Sequence, residues 1–399
     1  MTPQIRPPEE SEREAVGGVL EASLNLDPGR RANRLARMPL ADFRVAVEDG
    51  RVVSTAAEYR FLQWFGGRAL RMSGIFGVAT LPEYRGAGVM RTVVSTVLRE
   101  AYDRGTPISA LYPAVLGPYR GLGFEIAGIY HQHRLRVDAI PAGIGDASLV
   151  REYTSEDLPA VRTCWSSAIR RANGPAEPTG DGWWVHRTFN PAMDPTLRGV
   201  VVPGEDGAVE AFASFTRSST PGLLDVAFGL DCEPLAGVTE RGLRSLLAYF
   251  RGYRGIGEWV RWAGAPHDPI AMLIPEQGVL SNWRYPWMLR LLHVDRALED
   301  RGWPAGADAE VVLSVQDDLF PDNAGPWRLT VRGGRAEVTR EPGDPGVRPI
   351  PIGALSAMFA GALRPWNAVA LGLMDRDDPA VGALAILFEG PDPWAGLFF

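Results

Sequence analysis

The sequence has no lysine; all 41 of its basic residues are arginine. A GC-rich genome gives such a bias, but the chemical consequence stands whatever its origin. No lysine amine is available as a base, a Schiff-base former or a phosphate ligand. Cysteine is nearly absent as well, and Cys164 and Cys232 cannot build a disulfide scaffold. No apolar run approaches the ~20 residues that a membrane span needs. Met1 to Glu14 is polar and Pro-rich, which predicts no signal peptide. A soluble, cytoplasmic protein without a membrane partner is expected. The net charge of −7 argues against a nucleic-acid surface and mildly favours a cationic partner. With 46% hydrophobic and 22% charged residues the composition is globular, and 399 residues predict roughly two to three domains.

The stretch from Val78 to Arg91 organises the rest. Leu70 to Thr80 alternates as a strand and Pro82 ends it. Arg85-Gly86-Ala87-Gly88 follows, and Val93, Val94, Val97 and Leu98 then recur at helical spacing up to Asp103. A strand, a glycine turn and a helix make an anion site. The free N–H groups of the first helical turn point into the glycine turn, and the helix dipole adds positive potential. The spacing is not that of a P-loop, which needs a lysine, nor that of a dinucleotide fingerprint. It resembles the pyrophosphate loop of the GNAT acyltransferases, Arg/Gln-x-x-Gly-x-Gly/Ala, with Arg85, Gly88 and Met90 at the marked positions. Met90 departs from the pattern but still supplies a backbone N–H.

Around this stretch the sequence predicts a helix over 11–25 and a hairpin of Phe43–Val47 with the strand from Val52, turning at Asp49-Gly50. It then predicts a short strand at Ile108–Leu111, a short helix over Leu116–Leu122, and a strand or pair of strands over Phe124–Val137. Residues 197–294 repeat that order. Strands are expected at 199–202, 209–215, 223–230 and 259–262, a helix at 239–250, a short helix at 268–273, and a closing strand at 287–294. The second copy has Thr239-Glu240-Arg241-Gly242 where the glycine loop would be, which puts a carboxylate in the place of phosphate. That copy is expected to be non-catalytic. After Asp295 the texture changes to a smaller α+β unit: a short helix at 295–302, strands at 311–315, 327–332 and 335–339, and helices at 352–363 and 380–388.

Three groups carry candidate chemistry. Tyr119, in Gly117-Pro118-Tyr119-Arg120-Gly121, offers a phenol that either packs its short helix or donates a proton. The chain ends in Leu397-Phe398-Phe399, and two terminal phenylalanines imply a docked end with a fixed α-carboxylate. His131 and His133 share a strand face, but no third metal ligand stands near them, and no metal site is expected. Cys164 reads as core, and His186, His267 and His293 lack a triad context.

Together, a GNAT loop, a degenerate second copy, a small third domain and a docked C-terminal phenylalanine resemble the Eis-like (enhanced intracellular survival) acetyltransferases. The resemblance covers the whole chain in architecture and is sharpest over residues 75–128. It implies an α/β and α+β chain of tandem GNAT folds followed by a sterol-carrier-protein-like domain. The divisions would be a catalytic GNAT domain over 1–138, a degenerate one over 139–294 and the third domain over 295–399. Carried over by the resemblance, Tyr119 is the general acid and the Phe399 carboxylate the general base. Val78, Ala79 and Thr80 pair with pantetheine, and Arg85, Gly86, Ala87, Gly88, Val89 and Met90 hold the pyrophosphate of acetyl-CoA. The resemblance further implies a homo-oligomer, a hexamer, and an aminoglycoside or lysine-like amine as acceptor. Asp27 and Glu389 are candidates for attracting a polycation. A related acyltransferase for a metabolite or peptide amine, and a lipid carrier using the third domain, are the competing readings.

Overall fold

The computed structural model describes residues 3–26, 32, 35–36, 38–188, 196–219, 226–343 and 346–399, with the backbone alone at 186 and 187. Its first strands are β1 (Gln4–Arg6), β2 (Phe43–Glu48), β3 (Arg51–Phe65), β4 (Arg68–Thr80), β5 (Ile108–Leu111) and β6 (Glu125–Arg136). The alternating runs fold as their pattern dictates. Asp49 and Gly50 both take positive φ, 49° and 75°, the mirror-image turn that matches strand twist. The helix Val89–Asp103 lays Val89, Val93, Val94, Val97, Leu98 and Ala101 on the sheet.

The second copy supplies β7 (Arg151–Glu152), β8 (Ala176–Pro178), β9 (Arg198–Pro203), β10 (Val209–Ser219), β11 (Phe228–Gly237), β12 (Gly257–Gly264) and β13 (Val279–Leu291). Strand β11 runs later than the periodicity predicts, and part of the expected 223–230 segment lies outside the described residues. The helix Glu240–Arg251 follows it.

The two copies do not close separately. The strands form one 13-stranded sheet in the order β1-β2-β3-β4-β5-β13-β6-β12-β11-β10-β9-β7, with β8 on β3. The strand expected to close the second copy begins at Val279 and lies between the last two strands of the first. Met288 pairs with Leu111 and Leu291 with Ile108 on one side, and Leu289 with Glu125 on the other. In exchange β6 pairs with β12, His133 facing Trp262. The exchange leaves neither copy with an open edge at the junction.

The third unit is a four-stranded sheet, β16-β15-β14-β17, of β14 (Asp308–Gln316), β15 (Gly325–Arg332), β16 (Arg335–Arg340) and β17 (Ile350–Pro351). Its helix Ile352–Ala360 has no polar face, because it packs between this sheet and strands β6 and β13. Arg290 and Asp317, each 1% exposed, form an ion pair at 2.6 Å across the same junction. Among the described residues, no helix is long and apolar enough to cross a membrane.

Candidate active site

Strands β4 and β5 run side by side only from Met72–Ile108 to Ile75–Leu111. There β5 ends while β4 continues to Thr80, so the sheet splits after Ile75. On its other side β4 slips register against β3 between Ala57–Phe76 and Thr55–Ala79, a bulge over Gly77 and Val78. Gly77 takes φ +59°, and a side chain there would press on the Phe43 ring. Hydroxyl groups tie the bulge down from the β3 side: Thr55 donates to the Gly77 carbonyl at 2.8 Å and Ser54 to that of Ala79 at 2.8 Å. Ser23 and Arg85 donate to the Thr80 carbonyl at 3.0 and 3.2 Å. Past Ile75, the opposite backbone edge of β4, including Val78, Ala79 and Thr80, has no strand beside it among the described residues.

The glycine loop hangs from the end of that edge. Pro82–Tyr84 makes a single tight turn, Arg85 is extended, and Gly86 and Gly88 take φ +83° and +80°. Only glycine adopts these angles without strain. Atoms added at either glycine would meet open space, so the loop is exposed backbone. Gly88 caps the helix Val89–Asp103 without any side-chain hydrogen bond. The first helical N–H groups, Val89 and Met90 among them, are left for an anion. Met90 itself packs partly into the core, so its side chain does not obstruct the turn.

Tyr119 sits in the helical turn Gly117–Arg120 and is 7% exposed. Its ring meets Phe124 edge-on at 6.2 Å. Burial alone pushes its phenol up to about 12, and no hydrogen bond holds the hydroxyl among the described residues. A phenol in that state keeps its proton and is free to donate it. Arg91 donates to the Gly121 carbonyl at 2.8 Å and so fastens this turn to the start of the loop helix. Tyr119 packs in one cluster with Val89, Ile75 and Leu111.

Phe399 reaches the same split from the other face. The tail is threaded by Trp394 N–H to the Asn173 carbonyl at 3.1 Å, by Ala395 N–H to that of Ile129 at 3.3 Å, and by the Tyr112 hydroxyl to the Leu397 carbonyl at 2.6 Å. Leu397 is fully buried. The Phe399 ring lies over Gly74 and meets Tyr112 and Phe61 edge-on at 5.3 and 5.7 Å. Gly74 precedes Ile75, and successive strand residues face opposite sides. Tyr119 and Phe399 therefore flank the apex of the split from its two faces.

Tyr112 is a residue that sequence reasoning missed. Burial first, then Tyr130 and Glu233, raise its phenol well above the ordinary range, so it acts as a hydrogen-bond donor to the tail. Only its position directly after β5 could have marked it. Glu58, a buried carboxylate opposite Ile75, is already engaged by Ser73 at 2.6 Å, by Arg60 at 3.1 Å and by Arg104.

The second copy keeps the split but not the loop. Thr239 caps its own helix through Gly242 N–H at 3.0 Å. The carboxylate at that helix start is Glu210, bonded to Thr239 at 2.7 Å and to Arg241, and not Glu240, which turns outward to Arg244. Both ring nitrogens of His133 are engaged, with Ser281 at 2.7 Å and the Ala265 carbonyl at 2.8 Å. Glu389 is exposed and paired with Arg364 at 3.1 Å, and Asp27 lies outside the described residues.

Known proteins share the fold and the order of its units. Residues 4–127 and 180–291 each match an acetyltransferase (GNAT) domain family, and residues 294–396 match a sterol carrier protein domain. The chain is 27% identical over 308 residues to an uncharacterized N-acetyltransferase of Streptomyces griseus, covering 72% of each protein. It is similar to the crystal structure of a GCN5-related N-acetyltransferase from Anabaena variabilis, with a TM-score of 0.89 and 26% identity over 99% of this chain and 100% of that one. Eis1 from Mycobacterium abscessus shares the fold with a TM-score of 0.79 at 22% identity, over 99% of this chain and 100% of that one.

Proposed function

Because the chain belongs to the GNAT N-acetyltransferase family and carries two GNAT domains before a sterol carrier protein domain, we propose that it moves an acetyl group directly from acetyl-CoA to a primary amine. The acceptor classes are aminoglycoside-like and lysine-like amines, as in the Eis-like group. The observation that carries the reading is the pairing of Tyr119 and Phe399 on the two faces of one split.

In this reading the free edge at Val78, Ala79 and Thr80 pairs with the amides of pantetheine. The backbone from Arg85 through Gly86, Ala87, Gly88 and Val89 to Met90 cradles the pyrophosphate. The amine nitrogen bonds to the acetyl carbon and the carbon–sulfur bond breaks. The Phe399 carboxylate takes the proton lost by the amine, directly or through a water. The Tyr119 hydroxyl gives its proton to the departing thiolate. A terminal carboxylate is ordinarily a weak base, so this role calls for desolvation on substrate binding or for a relaying water. The reading divides the chain after residues 138 and 294, leaves the second copy structural and makes the assembly a hexamer.

Thiol release from acetyl-CoA, measured with a panel of amines on the intact chain and on one lacking Phe399, tests this. Turnover that collapses on removing the one residue supports the carboxylate. Turnover that survives assigns the base elsewhere, and an absence of acetyl-CoA binding overturns the reading.

A second observation favours an additional ligand. A cleft of about 500 Å³ lies between the first and third units, with Leu122, Phe124, Ile352 and Leu363 on one part of its wall and Arg91, Arg120, Glu125, Gln316 and Asp318 on another. A lining of this mixed kind favours an amphipathic lipid on the third domain, which lipid extraction from the purified chain would reveal.

A further inference from the structure

The second copy takes no part in the proposed transfer, yet its own split stays open. Strands β11 and β12 pair in parallel only as far as Cys232–Trp262. Beyond that point β11 runs on to Gly237 with β10 on its other side. The Val238 N–H meets the Glu210 carbonyl at 2.8 Å, so Val238 and, two residues earlier, Ala236 are the residues bonded toward β10. Leu235 and Gly237 therefore turn their N–H and C=O groups toward the gap, where no strand lies beside them among the described residues. This edge is the counterpart of the free edge from Val78 to Thr80 in the first copy.

A cleft of about 550 Å³ opens along it. Ile169, Leu235, Leu243, Ile270 and Trp394 give it apolar walls, and Arg171, His267 and Asp392 stand exposed on its rim. Asn173 ties the segments of Arg171 and Asp392 together: it donates to the Pro391 carbonyl at 3.3 Å and accepts the Trp394 N–H at 3.1 Å. Among the described residues, Arg171, His267 and Asp392 have no hydrogen bond or ion pair, although Asp392 and His267 act on the charge of His131. Asp268, buried beneath the rim, is engaged by the Ile270 N–H at 2.9 Å. Glu210, bonded to Thr239 and Arg241, fills the start of the next helix, so the phosphate cradle of the first copy has no counterpart. The ligand that suits this cleft carries amides and no phosphate. An extended peptide satisfies a bare edge by adding a strand to it. Apolar side chains remove the walls from water. A guanidinium and a carboxylate on one rim complement the two charges of a single short molecule.

We infer that the split of the second copy binds a zwitterionic apolar dipeptide, its amide on the β11 edge, its carboxylate at Arg171 and its ammonium at Asp392. The test is calorimetric titration of the CoA-saturated full chain with leucyl-leucine, with N-acetyl-leucyl-leucinamide and with leucine. Leucyl-leucine is expected to bind once per chain, about tenfold more tightly than either control. Arg171→Gln and Asp392→Asn, both at exposed positions, are each expected to weaken it about tenfold. Leu243→Trp, which fills the cleft, is expected to abolish binding. No binding to the intact chain, equal binding of the blocked peptide, or an affinity that both rim variants retain would overturn the inference. Binding that survives the rim variants but is lost on removing Phe399 would place the peptide at the acceptor site of the first copy, and would overturn it too.

Discussion

The ring of Phe399 lies over the bare Cα of Gly74, where an added methyl group would stand 2.9 Å from a ring carbon. The glycine is what lets the terminus settle at the apex of the β4–β5 split, one residue before the last paired position, Ile75. Gly74→Ala should therefore lift the tail while leaving the sheet formed. Overpacking of this kind costs about 1–3 kcal/mol where it cannot relax, and a chain end relaxes easily, so the melting temperature should move little. Misplacing a reacting group by about 1 Å lowers turnover on the order of 100-fold. Steady-state kinetics beside a thermal melt checks both halves. A large fall in stability with kcat preserved would show that the contact serves packing alone.

The glycine loop invites a different substitution. Gly88 has φ +80° and faces open space, so alanine there meets backbone strain and no clash. Left-handed geometry costs an L-residue roughly 1–2 kcal/mol, and the loop should relieve it by turning its N–H groups away from the anion. Gly88→Ala is expected to raise KM for acetyl-CoA about tenfold with kcat nearly unchanged. An unchanged KM would remove the loop from the binding site.

How much of this was legible beforehand depended on sequence separation. The hairpin at Asp49-Gly50, the strand Ile108–Leu111 and the helix ending at Asp103 rest on local alternation, local periodicity and local turn chemistry, and they stand where those patterns put them. The docking of the tail was legible because terminal apolar residues are costly in water, but it runs through Leu397 and Phe399 while Phe398 stays 40% exposed. The insertion of β13 between β5 and β6 was not, since nothing in Val279–Leu291 records which strand it will pair with. Tyr112 escaped for the same reason: its partner, the Leu397 carbonyl, is 285 residues away. Thr239 was read as the start of a helix, but Glu210, which occupies that start, comes from a neighbouring strand.

Tyr119 offers a pH test. Burial raises its phenol from 10.0 to about 12, so the folded chain favours the neutral form. A raised value contributes stability that is present in full below pH 10 and is lost as pH climbs from about 10 to 12, where the unfolded chain ionises first. Tyr119→Phe should flatten the decline of unfolding free energy over that interval, measured by urea titration at stepped pH. The same variant should lose about 100-fold in kcat if the hydroxyl protonates the thiolate, with acetyl-CoA binding retained. A flattened stability curve with full turnover would leave Tyr119 a packing residue.

The junction of strand β13 with the third unit turns on Arg290 and Asp317. Both are almost wholly buried, and Asp317 also accepts from the Leu319 and Phe320 N–H groups and from Asn323, at 3.0 to 3.2 Å. Burial lowers the Arg290 guanidinium while Asp317 holds it charged. Removing one partner strands the other charge away from water. Asp317→Ala should accordingly cost about 3–5 kcal/mol in a urea titration. Replacing Arg290 and Asp317 together with apolar residues of similar volume should recover most of that loss, because neither charge is then left behind. Arg290 also donates to the Leu122 carbonyl, three residues past Tyr119. Asp317→Ala is therefore expected to lower kcat as well, whereas a mutation equally destabilising but far from Leu122, such as Phe250→Ala, should not. Equal kinetic losses in the two variants would trace the effect to general loosening rather than to the turn that carries Tyr119.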